Sequence, residues 1–322
     1  MADWLKQIPK VAPPNEMGGP RIVIPAGIGD AYWVMVKMEA FCRRHGITGK
    51  PRVLVLAEKN QWDLARLRSV PFLEMVPFIE VAQERWVSAD PVEPRPQCLQ
   101  EIYDESRIRH GRTVFPGFMG YEYFVSYNGL LNTGHWLEDD DLECNWHLPL
   151  RESESQRVAR ADAMSKYGPY AVFYFSNFTE RILRQFSVDK IVETLNHFVM
   201  QSGLTPLFVG SFWDLGWEPL GRIIKEVKGA VNLVGRTSLD EAFGLMKGAS
   251  LISGYHCGLT NIGAAFGIKT VLIWDHKSFP RVTPLAVAPP ETRKTTYVPL
   301  YAKGLTIDKY LGVMMDLCGC RR

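Results

Sequence analysis

The sequence predicts an α/β protein built on two parallel sheets, each wound by helices on both faces. Three observations carry that expectation. Short β-branched runs alternate with helix-length segments through the second half of the chain. A shorter passage of the same rhythm opens near Arg21. At 322 residues the chain exceeds what one ordinary core organises, so two domains are expected.

In chain order, residues 1–20 are rich in Pro and Gly and are expected to form an arm over the surface. Ile22–Ile24 is an apolar run of strand type. Pro25, Gly27 and Gly29 turn the chain, and Ala31–His45 has helix character, with Asp30 in place to cap it. "PRVLVLAE" (51–58) is a second buried strand, "NQWDLARLRSV" a short helix, and "FLEMVPFI" a further strand. From about 84 to 150 the rhythm fails. This insert is rich in aromatics between Phe115 and Trp136, which could stack on a ligand or simply fill a core. The rhythm resumes with five strands, at 170–177, "TPLFVGS", "AVNLVGR", "SLISGY" and "KTVLIWD", alternating with four helices. The helix at 188–203 is closed by Gly203, and Ser238 and Glu241 have capping-box spacing. Short links and right-handed crossovers make this a doubly wound, Rossmann-like sheet. "IDKYLGVMMDLC" (307–318) reads as a final amphipathic helix. The expected division is an N-terminal Rossmann-like domain over 1–165 carrying the 84–150 insert, a second over 166–305, and a tail over 306–322.

With 37 basic against 35 acidic side chains, the net charge of +2 provides no bulk attraction to nucleic acid or membrane. No stretch approaches the ~18 apolar residues of a membrane span, and the N-terminus lacks a signal-type core. A soluble cytoplasmic protein without an integral membrane segment is expected. The six cysteines are scattered with no CxxC pair, as expected of free thiols in a reducing compartment. Cys318-Gly-Cys320 has too few ligands for a metal site, and "LEDDDLE" (137–143) suits a solvated acidic loop better than a cation site.

Chemistry concentrates in "LISGYHCGLTNIGAAFG". A strand ends at Tyr255, the chain turns through His256, Cys257 and Gly258, and a helix opens near Leu259 and Thr260. Gly263, Ala264 and Ala265 would let that helix lie against the sheet. Its first turn offers unpaired N–H groups at the strands' carboxyl edge, where helix geometry and dipole favour an anion. Thr260 and Asn261 could add side-chain donors; the alternative is an ordinary capped turn. In "SNFTERILRQF", Arg181 and Arg184 are cations at the same edge. In "GSFWDLGWE", Trp213 or Trp217 could stack on a base and Asp214 or Glu218 could accept ribose hydroxyls, with Ser211 a further candidate; packing of exposed Trp on its neighbours is the alternative.

These residues resemble family 9 glycosyltransferases, whose best-known members are the ADP-heptose:lipopolysaccharide heptosyltransferases. The resemblance rests on "GIGD" after the first strand and on "GRTSLDEAFGLMKGASLISGYHCGLTNIGAAFG" (235–267). It covers roughly 21–80 and 165–275 and leaves the insert out. It implies a GT-B fold, two Rossmann-like domains facing across a cleft, with the donor on the C-terminal domain and the acceptor on the other. It also implies a transfer that typically inverts the sugar and needs no metal or other cofactor. Asp30 then maps onto the proposed general base, Gly258, Leu259 and Thr260 onto the diphosphate-holding helix start, and Arg184 onto a phosphate-contacting base. Two positions depart from the pattern. His256 and Cys257 stand where the family has Asp and Ser or Thr, and Asn261 stands where it often has His.

The resulting expectation is a glycosyltransferase using a nucleoside-diphosphate sugar and a saccharide, glycolipid or nucleic-acid-base acceptor. Asp30 is the base, and Gly27 and Gly29 let their loop approach the donor. A nucleotide-sugar epimerase and a non-catalytic nucleotide-sugar binder stay open because of His256 and Cys257. A dinucleotide site at "PAGIGDAYW" is disfavoured, since the third glycine of G-x-G-x-x-G is missing.

Overall fold

The structure is a computed structural model. It describes residues 21–25, 27–44, 46–56, 69–81, 114–116, 123–125, 143–175, 180–274 and 296–320. By its contacts the chain divides into two compact units, Met1–Arg151 and Glu152–Arg322.

The first unit carries β1 (Arg21–Pro25), β2 (Arg52–Leu56), β3 (Glu80–Val81), β4 (Val114–Pro116) and β5 (Tyr123–Val125), in the order β3-β2-β1-β5-β4. All neighbours are parallel except β4 and β5. Helix α1 (Ile28–Arg44) starts three residues earlier than its sequence suggests, with Ala31 N–H donating to the Gly27 carbonyl at 2.9 Å. Asp30 is therefore the third helical residue and not the cap. Ala31, Met35 and Met38, with Tyr32 and Val36, recur at helical spacing and are buried. Tyr32 meets Phe72 edge to face, their centroids 6.2 Å apart.

"FLEMVPFI" is not a strand. Pro71 lies in the first turn of α2 (Val70–Glu74), where a missing N–H does no harm, and Phe72 and Leu73 are buried as helix residues. Only Glu80–Val81 is extended. Part of the unassigned insert enters the sheet, because β5 pairs with β1 through Ile22–Tyr123 and Val23–Phe124. The N-terminal arm, most of the 60–70 helix, the insert's aromatic side chains and residues 137–142 lie outside the described residues.

The second unit holds β6 (Tyr170–Tyr174), β7 (Thr205–Phe208), β8 (Val231–Asn232), β9 (Leu251–Tyr255), β10 (Thr270–Trp274) and β11 (Tyr297–Tyr301). They form one parallel sheet in the order β8-β7-β6-β9-β10-β11. Its helices are α3 (Glu154–Tyr167), α4 (Glu180–Leu183), α5 (Val188–Ser202), α6 (Glu218–Glu226), α7 (Leu239–Gly248), α8 (Gly258–Ala265) and α9 (Ile307–Cys318). The five expected strands, the four helices between them and the final helix are all present. Gly203 closes α5 at φ 68°, and Ser238 and Glu241 form the expected reciprocal cap, with bonds of 2.6 and 3.1 Å. The sixth strand, β11, was not expected, because Pro299 interrupts it. An edge position tolerates a residue that cannot donate to a ladder, and β11 is an edge.

Ile191, Leu195 and Phe198 of α5 and Tyr310, Leu311 and Met314 of α9 cover one face of this sheet. Burial of each large apolar chain contributes about 1.5–3 kcal/mol. A buried polar link adds direction: Ser253 Oγ donates to the Val271 carbonyl at 2.8 Å and lies 2.7 Å from the Tyr310 hydroxyl. Helix α3 belongs to this unit, although the sequence put the division at 165. Ser153 Oγ and Gln156 Nε2 each donate to Asp240 at 2.6 Å. At Gly244 of α7 a Cβ would lie 2.3 Å from the Gln156 carbonyl oxygen, so only glycine lets the two helices approach this closely.

Gly244→Ala is expected to lower stability by about 1–3 kcal/mol through overpacking against backbone. Gly221→Ala, in α6 with open space around it, is expected to raise it by about 0.5–1 kcal/mol through helix propensity. Urea unfolding of the two variants checks both signs.

Candidate functional site

In a sheet ordered β8-β7-β6-β9-β10-β11, the connections wind one way up to β8 and the other way from β9 onward. The loops that leave the carboxyl ends of β6 and β9 therefore part in opposite directions and open a crevice there. Two sequence-predicted segments leave the sheet at this edge, the β9–α8 turn and the β7 turn with Ser211–Asp214; the loop between β6 and α4 lies outside the described residues.

The β9–α8 turn is the best defined. Cys257 is the N-cap of α8, in extended backbone. Its N–H donates to Thr260 Oγ1 at 3.0 Å, and the Thr260 N–H reaches Cys257 Sγ at 3.5 Å. The Thr260 hydroxyl is fully buried and donates at 2.9 Å to the Tyr255 carbonyl. It therefore binds the turn together and is not the ligand donor expected from sequence. Burial raises the Cys257 thiol pKa, an effect its hydrogen bonds from Thr260 and Leu259 oppose. The thiol is a cap and not a nucleophile. The first-turn N–H groups of Gly258 and Leu259 stand ahead of the helix's own bonding, which begins with Asn261 N–H to the Cys257 carbonyl at 3.0 Å. At Gly263 a Cβ would sit 2.5 Å from Thr270 Oγ1. The small residue does let α8 lie against the sheet.

His256 and Asn261 are both turned into the fold. The His256 ring stacks on Trp274, with centroids 3.4 Å apart and planes 25° apart, and its Nε2 is 3.1 Å from Asn261 Nδ2. Asn261 is 4% exposed, and its Oδ1 receives the Tyr297 hydroxyl at 3.5 Å. The amide thus serves the interior and is not the phosphate donor expected of it. Desolvation pulls the His256 pKa down to about 3. Part of the ring stays accessible, which moderates that depression, but the imidazole is neutral at neutral pH. Sequence reasoning missed Trp274 and Tyr297. Trp274 looks like the end of a core strand, and only the register Ile273–Tyr255 shows that it stands beside His256.

At the end of β7 the Asp214 carboxylate is fully buried and accepts the Ser211 N–H at 2.9 Å. It holds a single 3₁₀ turn, Phe212–Asp214, and is not available to a ribose. The Trp213 side chain lies outside the described residues. Phe212 and Leu215 on this turn are more than half exposed. Arg184 is exposed just beyond α4; Arg181 lies within that helix, and its side chain is not described. Gly27, Gly29 and Asp30 belong to the first unit, at the start of α1; Gly27 and Gly29 are partly buried, and the Asp30 side chain is not described. Among the described residues no cluster of His, Cys, Asp and Glu could hold a metal ion, and Cys42, Cys144, Cys257, Cys318 and Cys320 are free thiols. No described helix is long and apolar enough to cross a membrane.

No protein-family model matches the chain, and no curated protein matches it. Solved structures do. The chain is similar to the E. coli ADP-heptose LPS heptosyltransferase II at 15% identity, with 93% of this chain and 98% of that chain covered and a TM-score of 0.57. It is also similar to a family 9 glycosyltransferase from Veillonella parvula at 11% identity, with 93% and 97% covered and a TM-score of 0.60. The likeness runs through both units, and the fold is the GT-B class expected from the sequence.

Two outcomes follow from this turn. His256 has a native pKa below its unfolded value of about 6.5, so the native state binds fewer protons. The stability this contributes is present above about pH 6.5 and is lost as pH falls towards 3. His256→Phe keeps a stacking ring and is expected to flatten the fall in urea midpoint between pH 7 and pH 4. Cys257→Ser supplies a better cap and is expected to be neutral or stabilising, whereas Cys257→Ala is expected to cost about 0.5–2 kcal/mol. Thermal and urea unfolding of the pair at pH 7 measure the difference.

Proposed function

We propose that this chain is a glycosyltransferase that moves a sugar from a nucleoside-diphosphate sugar to an acceptor hydroxyl of a saccharide or glycolipid. The observation that carries the reading is the α8 N-terminus, opened by Cys257-Gly258 at the point where the strand order reverses. An anion is favoured there by the Gly258 N–H and by the helix dipole together. A fold shared with solved glycosyltransferases over 93% of the chain supports it.

In this reading the acceptor oxygen attacks the anomeric carbon as the bond to the diphosphate breaks. Attack from the face opposite the leaving group inverts the configuration. The negative charge that grows on the diphosphate is met by the Gly258 N–H, by the dipole of α8 and by Arg184. These donors are preorganised and need no reorientation as the charge develops. That is the physical basis for a transfer without a metal ion. Asp30 takes the acceptor proton. It stands in the first turn of α1, and a positioned carboxylate can take up the proton as the hydroxyl attacks. Gly27 and Gly29, just before it, allow close approach to the substrates.

His256 and Cys257 support a second reading, a binder that holds the donor without transferring it. A thermal-shift screen of ADP-, UDP- and GDP-sugars identifies the donor. A ligand at 100 times its dissociation constant stabilises the native state by about 2.7 kcal/mol. Transfer is then followed with saccharide and glycolipid acceptors; a donor that binds yet stays intact with every acceptor decides for the binder. Once transfer is established, Asp30→Asn is expected to lower kcat by ~10²–10⁴-fold with the donor KM little changed. Turnover at the wild-type rate would remove Asp30 from the mechanism.

A further inference from the structure

Two of the cysteines come together at the close of α9. Cys318 is the last residue of that helix, and Gly319 caps it in the left-handed region at φ 74° and ψ 16°. The chain folds back there. The Gly319 N–H donates to the Asp316 carbonyl at 3.2 Å, and the Cys320 N–H donates to the Met315 carbonyl at 3.0 Å. Cys320 Sγ is thereby brought to 3.9 Å from the Cys318 carbonyl oxygen. Both thiols are partly buried and pack on the apolar core of the second unit, while Gly319 between them is exposed.

Spacing decides what such a pair can do. A residue in a helical conformation of either hand holds the Cα atoms on its two sides about 5.4 Å apart, from the rise and turn of the helix. Disulfides span Cα separations of about 4.4–6.8 Å. An extended middle residue would set the two at roughly 6.6–7.2 Å, at or beyond that limit. Glycine takes up φ 74° without strain, so Gly319 both closes α9 and keeps the cysteines within bonding range.

We propose that Cys318 and Cys320 form a modification site, a dithiol that low-molecular-weight disulfides of the glutathione type oxidise reversibly to an internal disulfide. First, Cys320 Sγ loses its proton to solvent and attacks one sulfur of the reagent. The reagent's S–S bond breaks, and one thiolate leaves and takes up a proton. Cys318 Sγ then loses its proton and attacks Cys320 Sγ, which breaks the mixed disulfide and releases a second thiol. Two cysteine thiols are oxidised, and one reagent disulfide is reduced to two thiols. The surroundings set this order. Burial and the neighbouring Cys320 push the Cys318 thiol up to about 11, against the opposing Lys269 ammonium, so Cys318 is the poorer first nucleophile. The part of that rise due to Cys320 ends once Cys320 is held in the mixed disulfide and carries no charge. The internal bond closes a small ring, and strained disulfides are readily reduced, so excess thiol restores the pair.

The test incubates the reduced full chain with glutathione disulfide and reads intact mass and peptide maps. The wild type is expected to lose two hydrogens, with the link mapped to residues 318 and 320 and no glutathione kept there. Cys318→Ser is expected to keep one glutathione at Cys320, at least about tenfold more than the wild type, because the second thiol acts intramolecularly. Cys320→Ser is expected to leave Cys318 largely unmodified over the same time. Gly319→Val places its side chain in open space but excludes the left-handed backbone, and is expected to keep glutathione as Cys318→Ser does. Excess reduced glutathione is expected to return the oxidised wild type to the dithiol. The site falls if the wild type keeps both thiols, holds glutathione at either cysteine in place of the internal bond, or links one of them to a different cysteine. Equal modification of Cys318 in Cys320→Ser would overturn the order of attack. Undiminished closure in Gly319→Val would overturn the geometric basis, and a bond that survives excess glutathione would overturn reversibility.

Discussion

The adjacency of β6 and β9 is the constraint on which the second unit depends. Six parallel strands can be crossed only by right-handed connections, so the step from β8 back past β7 and β6 to β9 reverses the winding and leaves the crevice between them. Everything of chemical interest in this unit leaves the sheet at that edge. The turn after β9 is held there by a reciprocal cap between Cys257 and Thr260, by the Thr260 hydroxyl on the Tyr255 carbonyl, and by Gly263 lying close to Thr270. Loosening any of these would move the first-turn N–H groups of α8 relative to the strand ends.

The electrostatics of this edge are unusual in what they lack. The acidic side chain of the β7 turn, Asp214, is buried and accepts the Ser211 N–H through Oδ2. The imidazole at 256 is neutral, and the thiol at 257 is held protonated by burial. What remains is a set of dipoles, the backbone N–H groups at the start of α8. Fixed dipoles suit a ligand whose charge grows during reaction, because they neither titrate nor need to be desolvated again as it does so.

How much of this was legible in the sequence depended on how local the cause was. Capping of α7 by Ser238 and Glu241, closure of α5 by Gly203 and the close approach at Gly263 are all set by neighbours in sequence or by glycine's missing Cβ, and each was foreseen. Helix α2 was misread because "FLEMVPFI" is apolar apart from Glu74, and periodicity does not separate a short buried helix from a buried strand. Strand β11 was missed because Pro299 is excluded from central strands but tolerated at an edge, and edge position is not a local property. At the candidate site, the turn and its anion-favouring helix start were legible. Thr260, Asn261 and Asp214 were not, since all three look like available donors or acceptors until their buried partners are known.

The sequence by itself determined the α/β class, the two-part organisation, the parallel sheet of the second unit and the position of the glycine turn at 256–258. Alternating apolar runs, short links and glycines act within a few residues of one another, so a linear reading captures them. Only the tertiary structure decided that α3 joins the second unit, that Trp274 stacks on His256, and that the His256 and Asn261 side chains meet. Strand register and buried hydrogen bonds bring together residues far apart in the chain, and whether a polar group faces inward or outward is set by what packs against it.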